Sequence, residues 1–170
     1  MEKVEAPEFP QILHGIKSRV EELICEHILE ITKEGKVAPK NVSISPGFVE
    51  MFRSIKNNGE ELFNYCVCNH YRDGEECMGY HADDEQSLDP YAPIASVSLG
   101  ITRNFDVRPR KKDREGKRSR VARIALGDGD MLLMLPPMQS HYQHAVPAEK
   151  RVSGERINLT FRRVINEKRG

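Results

Sequence analysis

Apolar residues recur three and four positions apart in the first part of the chain and two apart in the rest, with the change of period near Leu62. In QILHGIKSRVEELICEHILEITKEG, residues 11–35, Ile12, Ile16, Val20, Leu23, Ile24, Ile28 and Ile31 hold helical spacing, and Gly35 stands where a helix would stop. The spacing predicts one long amphipathic helix. In SPGFVEMFRSIKNNG, residues 45–59, Ser45 suits an N-cap and Pro46 the first helical position. Phe48, Val49, Phe52 and Ile55 form an apolar face and Asn58-Gly59 a terminator, which predicts a second, shorter helix.

From Leu62 onward the runs LFNYCVCNHY, PIASVSLG, NFDVRPR, RVARIAL, DMLLML and RINLTFRRV are short, rich in β-branched and aromatic residues, and separated by Gly, Pro and Asp clusters. Six strands after two helices predict an α+β chain whose C-terminal two-thirds is an antiparallel sandwich or jelly-roll barrel. A length of 170 residues encloses one sizeable core, so a single domain is expected, with residues 1–61 as helical support and residues 62–170 as the β core.

Composition adds a compartment. Hydrophobic residues make up 38% and charged residues 31%, a small core under a heavily solvated surface. No apolar run approaches the ~18 residues of a membrane span, and MEKVEAPEFP carries acids and prolines in place of a signal sequence. The expectation is a soluble intracellular protein without membrane association, nucleus and cytoplasm being equally open. Cys25, Cys66, Cys68 and Cys77 lack a CxxC spacing and read as reduced thiols packed as small apolar groups; the alternative, a zinc site of Cys66, Cys68 and His70, lacks the usual ligand spacing. Net charge is zero but uneven. Between Arg108 and Arg123, nine basic residues stand against Asp113 and Glu115, so a local balance of +7 is matched by −7 elsewhere. Such a run sits between two strands as a hairpin tip and would follow a phosphate backbone, or would simply be a solvated arm.

The chemistry-bearing stretch is GYHADDEQSLDP. Residues two apart on an extended chain point the same way, so His81 and Asp83 can offer an imidazole nitrogen and a carboxylate oxygen to one ion. His141 and His144 are both candidates for a third ligand, and two histidines with one carboxylate on one face of an iron leave its other positions open. In RINLTFRR, Arg156 and Arg162 share a strand face with Asn158 and Thr160, while Ile157, Leu159 and Phe161 claim the opposite face for the core. Two guanidiniums on an inward face are costly unless they meet anions, so that face reads as a polar cavity suited to a small dicarboxylate.

Taken together, NHYRDGEECMGYHADDE, PIASVSLG, TRNFDVR, LGDGDMLLM, HYQHAVP and RINLTFRR resemble, in order and spacing over roughly residues 62–165, the AlkB family of Fe(II)/2-oxoglutarate dioxygenases, especially its animal nucleic-acid repair members. The resemblance implies a double-stranded β-helix (jelly roll) with N-terminal helices packed on it and iron held by His81, Asp83 and His144. It favours His144 over His141, because His144-Ala145-Val146-Pro147 stands twelve residues before Arg156. It implies 2-oxoglutarate bound by Asn69, Tyr71, Arg156, Asn158 and Arg162, with Arg156 on the remote carboxylate and Arg162 near the chelating one. Asp84 and Glu85 would face the target base, and Arg110, Lys111 and Lys112 would hold the nucleic-acid backbone. The implied activity is oxidative demethylation of N-methylated bases, single-stranded or flipped, by a monomer that uses O2 as co-substrate, with ascorbate in support, and releases formaldehyde, succinate and CO2.

One stretch departs from the family. Its repair members carry an aromatic-rich segment before the short helix, part of a lid that stacks the target base; KEGKVAPKNVSISPG, residues 33–47, contains no ring. Stacking contributes on the order of 1 to 3 kcal/mol per base, so either another ring serves, with Tyr80, Tyr142 and His81 as candidates, or the substrate differs. The alternatives are therefore a hydroxylase or demethylase of a protein side chain with the same cofactors, and a nucleic-acid-binding module whose metal stabilises the fold.

Overall fold

The computed structural model describes residues 10–33 and 46–165. The expected N-cap at Ser45, the terminator at Gly35 and most of the ring-free stretch 33–47 lie outside the described residues. Two helices come first, α1 (Gln11–Lys33) and α2 (Pro46–Asn58). On α1 the buried stripe is Val20, Ile24 and Ile28, with Leu13 and Ile16 packed beside it. Ile12, expected on that face, is 82% exposed, and Leu13 takes its place. Lys17 lies on the stripe as well, buried with its Nζ 2.5 Å from Glu61 and donating to the Phe63 carbonyl, so the cation is matched where it is desolvated. Helix α2 buries Phe48, Phe52 and Ile55. It ends as its sequence predicts: Gly59 takes a left-handed φ of 66°, and the Glu60 amide donates to the Ile55 carbonyl, a Schellman closure that glycine permits at low cost.

Eight strands follow in place of the six expected: β1 (Tyr65–Tyr71), β2 (Met78–His81), β3 (Ile94–Gly100), β4 (Arg103–Pro109), β5 (Ala122–Leu126), β6 (Met131–Met134), β7 (Tyr142–Val146) and β8 (Arg156–Arg162), with the short helix α3 (Met138–His141) before β7. They form two four-stranded sheets, ordered β1-β8-β3-β6 and β2-β7-β4-β5, and all the pairings are antiparallel. Apart from the β4–β5 hairpin, each connection carries the chain from one sheet to the other. The two additional strands, β2 and β7, pair with each other. At four and five residues they are too short for alternation to stand out.

Two apolar clusters hold the layers together. Leu159 and Phe161 of β8, Ala95 and Val97 of β3 and partly buried Cys66 of β1 meet α1 and α2 on one face of the first sheet. Ile94, Phe105, Val107, Leu126, Met134 and Val146, with Tyr71, fill the space between the sheets. Polar residues alternate with these along β3 and β8. Ser96, Ser98, Arg156, Asn158, Thr160 and Arg162 are all buried, and most of them line one cavity with residues from the second sheet. Ile157 departs from the expected core face and is 38% exposed, because it lies at the end of β8 beyond the helices' cover. Among the described residues no helix is long and apolar enough to cross a membrane.

The cysteines are free: Cys25 and Cys66 are half-buried, while Cys68 and Cys77 are exposed, contrary to the expectation that all four pack as apolar groups. Burial, then the neighbouring Cys68, pushes the Cys66 thiol up to about 11, which keeps it protonated and inert.

Candidate metal centre

The pairing of β2 with β7 sets His81 directly opposite His144. Their rings lie 4.3 Å apart, and the Phe105 ring stacks on His144 at 5.1 Å. Asp83, just beyond β2, completes the set: His81 Nε2 is 3.7 Å from Asp83 Oδ1, and His144 Nε2 is 3.7 Å from Oδ2. The potential ligand atoms lie within 4.8 Å of one another, and this is the one such His/Cys/Asp/Glu group among the described residues. The alternative zinc set of Cys66, Cys68 and His70 is not brought together; His70 faces Glu155 at 3.3 Å. His141 is exposed at the end of α3 and takes no part.

The histidines are prepared as ligands. A carbonyl only accepts, so the 2.8 Å contact between His81 Nδ1 and the Gly79 oxygen puts a proton on Nδ1 and orients the ring with Nε2 toward Asp83. Burial first, then the nearby His81 and Arg162 charges, pushes His144 down to about 3, so its imidazole is neutral at physiological pH, the form that binds metal. Asp83 is itself positioned: its amide donates to Gln139 Oε1 at 3.0 Å, and its Oδ1 accepts from Arg162 Nη2 at 2.7 Å.

The second half of the site lies along β8 and β1. Arg156 is 1% exposed and donates from Nη2 to Ser98 Oγ, yet its Nε and Nη1 have no partner in a buried setting. Arg162 Nε is likewise unpartnered. Buried guanidinium donors without acceptors are costly, and a carboxylate is the group that satisfies them in pairs. The Arg156 guanidinium lies 5.4 Å from the Tyr71 ring centre. Burial raises the Tyr71 phenol above its ordinary range, although Arg156 and Arg103 pull the other way. Asn69 lines the same cavity. Asn158 lines it too, but its amide already donates to Ser96 Oγ at 2.8 Å and the Val97 carbonyl at 3.0 Å, so it braces β8 against β3. The donor set of two imidazoles and a carboxylate fits iron(II), and the orphaned arginine donors fit 2-oxoglutarate.

Around the rim, Glu85 approaches Arg162 Nη1 at 3.3 Å, and Asp84 accepts from Arg110 Nη1 at 2.6 Å. Arg110 also donates to the Gln139 carbonyl, so this residue, expected to meet a backbone phosphate, is tied to the acidic loop. Lys111 and Lys112 are exposed on the hairpin between β4 and β5. The run is less free than its formal charge suggests: Asp106 accepts from Arg123 twice at 2.6 Å and lies 3.5 Å from Arg120, and Arg108 sits over the Tyr80 ring at 3.8 Å.

Arg103 and Gln139 are the residues that pattern reading passes over. The Arg103 side chain is wholly buried and donates to the carbonyls of Asp73, Gly74, Glu76 and Pro147 and to Glu149. It thereby joins the β1–β2 turn, which leads into the strand of His81, to the exit of β7, the strand of His144. A signal was present: in RNFDV, Arg103 alternates with Phe105 and Val107 and must share their inward face.

A family model described as the 2OG-Fe(II) oxygenase superfamily matches residues 1–162. The chain belongs to the 2OG-Fe(II) oxygenase superfamily, whose members use iron(II) and 2-oxoglutarate. Within it the chain is of the AlkB type: it is 44% identical over 113 residues to mouse "DNA oxidative demethylase ALKBH2", covering 64% of this chain and 46% of the relative. It is 40% identical over 119 residues to mouse "Alpha-ketoglutarate-dependent dioxygenase alkB homolog 3", covering 68% and 42%. The chain thus spans less than half the length of these relatives. The solved structure of OsALKBH1 superposes with a TM-score of 0.55 at 19% identity, over 94% of this chain and 66% of that one, a likeness of fold.

Proposed function

We propose that the protein is an oxidative demethylase of N-methylated bases in DNA or RNA, with the two sheets as the halves of a double-stranded β-helix and residues 1–61 and 62–170 as one domain acting as a monomer. The observation that carries this reading is a buried His81-Asp83-His144 cluster that shares one cavity with Arg162, Asn69 and Tyr71, with the buried, unpartnered donors of Arg156 beside the Tyr71 ring. In this assignment His81, Asp83 and His144 hold iron(II). Arg156 takes the remote carboxylate of 2-oxoglutarate, with Tyr71 and Asn69 beside it and Asn158 bracing the strand. Such a centre supplies insertion of one atom of O2 into a C–H bond, coupled to conversion of 2-oxoglutarate to succinate and CO2. Hydroxylation of an N-methyl group leaves a hydroxymethyl that departs as formaldehyde and restores the base.

The chain's own groups supply the rest. Arg162 bonds Asp83, which orients a carboxylate oxygen and balances its charge in a buried setting. Phe105, stacked on the His144 ring, and Met134 give the cavity an apolar wall beside the histidines. Asp84 and Glu85 stand where a carboxylate can accept from the exocyclic amino group of a base. The base must be unpaired or flipped to enter, and the exposed lysines of the β4–β5 hairpin hold the backbone. The names of the relatives support a nucleic-acid substrate over a protein side chain. The test is turnover with Fe(II), ascorbate and 2-oxoglutarate on single-stranded DNA and RNA carrying one N-methylated base. Formaldehyde release matching succinate is expected; succinate without formaldehyde from either polymer rejects the reading.

A further inference from the structure

We propose that Tyr65 is the ring on which the target base stacks; this rests on the demethylase reading and names the residue that substitutes for the missing aromatic lid. Register locates it. Along β8, Arg162 marks the metal end, since it bonds Asp83, and Arg156 stands at the other end of the strand six residues away. On β1, Tyr71 pairs with Arg156 and Tyr65 pairs with Arg162, so Tyr65 stands at the metal end. It shares one face of the strand with Asn69 and Tyr71, which line the inner cavity. Tyr65 itself lines an open cleft of about 400 Å³ together with Val67, Glu85, Ser87, Leu88 and Arg162.

That cleft has the three things a base requires. Tyr65 is 39% exposed, so its ring is available. Glu85 offers an acceptor to an exocyclic amino group, and Arg162 connects the cleft to the metal ligand Asp83. The second cleft at the rim, about 250 Å³, shares Glu85, Leu88 and Arg162 with the first and adds the metal ligand Asp83, Asp84 and several prolines, but no aromatic ring lines it. Tyr80 and His81 are engaged elsewhere, and Tyr91 and Tyr142, though exposed, line neither cleft. Tyr80 is covered by Arg108 at 3.8 Å, His81 turns Nε2 toward Asp83, and the Tyr91 ring lies against Gly47, where an added Cβ would come within 2.8 Å of it. Tyr142 pairs with Pro109 on β4, at the hairpin end of the second sheet.

The test measures steady-state kinetics of formaldehyde release from a single-stranded oligonucleotide carrying one N-methylated adenine. Tyr65→Ala should raise KM for the strand roughly five- to a hundredfold, the equivalent of one base stack removed, with kcat changed by less than about twofold. Tyr65→Phe should restore KM and Tyr65→Leu should not, because a π face and not side-chain volume is what the base needs; a merely structural role would let leucine restore it. Binding gives a second readout that needs no turnover. The chain has no tryptophan, so tyrosine emission is observed directly, and the methylated strand should quench it less in Tyr65→Phe than in the wild type. If the wild type releases formaldehyde but Tyr65→Ala leaves KM unchanged and Tyr65→Phe leaves the quenching unchanged, the stack is overturned and the demethylase stands. If the wild type demethylates no strand, both fall. Should Tyr65→Ala fail to fold, the comparison of Tyr65→Phe with Tyr65→Leu and the quenching still decide.

Discussion

At the residue scale the site is governed by buried charge. Arg156 carries two buried donors without acceptors, so ligand-free protein holds a cost that a carboxylate removes. Arg156→Met should therefore be no less stable than the wild type in thermal melts without 2-oxoglutarate, while calorimetric binding of 2-oxoglutarate to Mn(II)-loaded protein weakens by about a hundredfold or more, the scale of removing one partner of a buried charge pair. Arg103 is the opposite case. Its donors meet four carbonyls and Glu149, and removing it leaves those acceptors buried, so Arg103→Ala should lower stability by about 3 to 5 kcal/mol in denaturant titrations. The two arginines look alike in a sequence. Arg156 is legible there because Asn158, Thr160 and Arg162 repeat its polarity at every second position; Arg103 alternates with Phe105 and Val107, and only the turn at Asp73–Glu76, distant in the chain, explains what it satisfies.

At the element scale, helices α1 and α2 exist to cover one face of the first sheet. Ile24 is 2% exposed among Leu159, Phe161 and their neighbours, so Ile24→Ala should cost about 2 to 5 kcal/mol through forfeited transfer energy and a cavity. Long periodic segments such as α1, and the glycine closure of α2, are readable from spacing. Strands β2 and β7 are not, because so few residues give too few repeats, and their stability comes from pairing between segments far apart in the chain. The hairpin between β4 and β5 reads in the sequence as a charged arm, and its exposed lysines suit that role. Lys111→Ala with Lys112→Ala should flatten the dependence of log affinity for single-stranded nucleic acid on log salt by about 0.7 for each phosphate no longer neutralised.

At the scale of the whole molecule, metal and pH act on stability through groups that only the fold assembles. Mn(II) should raise the melting temperature of the wild type and leave that of Asp83→Ala unchanged, since an ion that binds only the native state stabilises it by mass action. In acid, Asp106 matters: its hydrogen bonds from Arg123 hold its carboxyl below the usual carboxylate range against the effect of burial. A depressed acid contributes stability above its unfolded pKa of about 4 and loses it as pH falls toward the folded value, so Asp106→Asn should melt with a shallower acid dependence than the wild type below about pH 4. The sequence by itself determined the two helices, most of the strands, the candidate ligands and the inward polar face of β8, because each is a local repeat or a motif within a few residues. Only the tertiary structure decided that His81 stands across from His144, that Arg110 belongs to Asp84, and that Tyr65 faces the open cleft at the metal end. Those are facts of strand register between segments far apart in the chain, and register is settled by the packing of whole sheets.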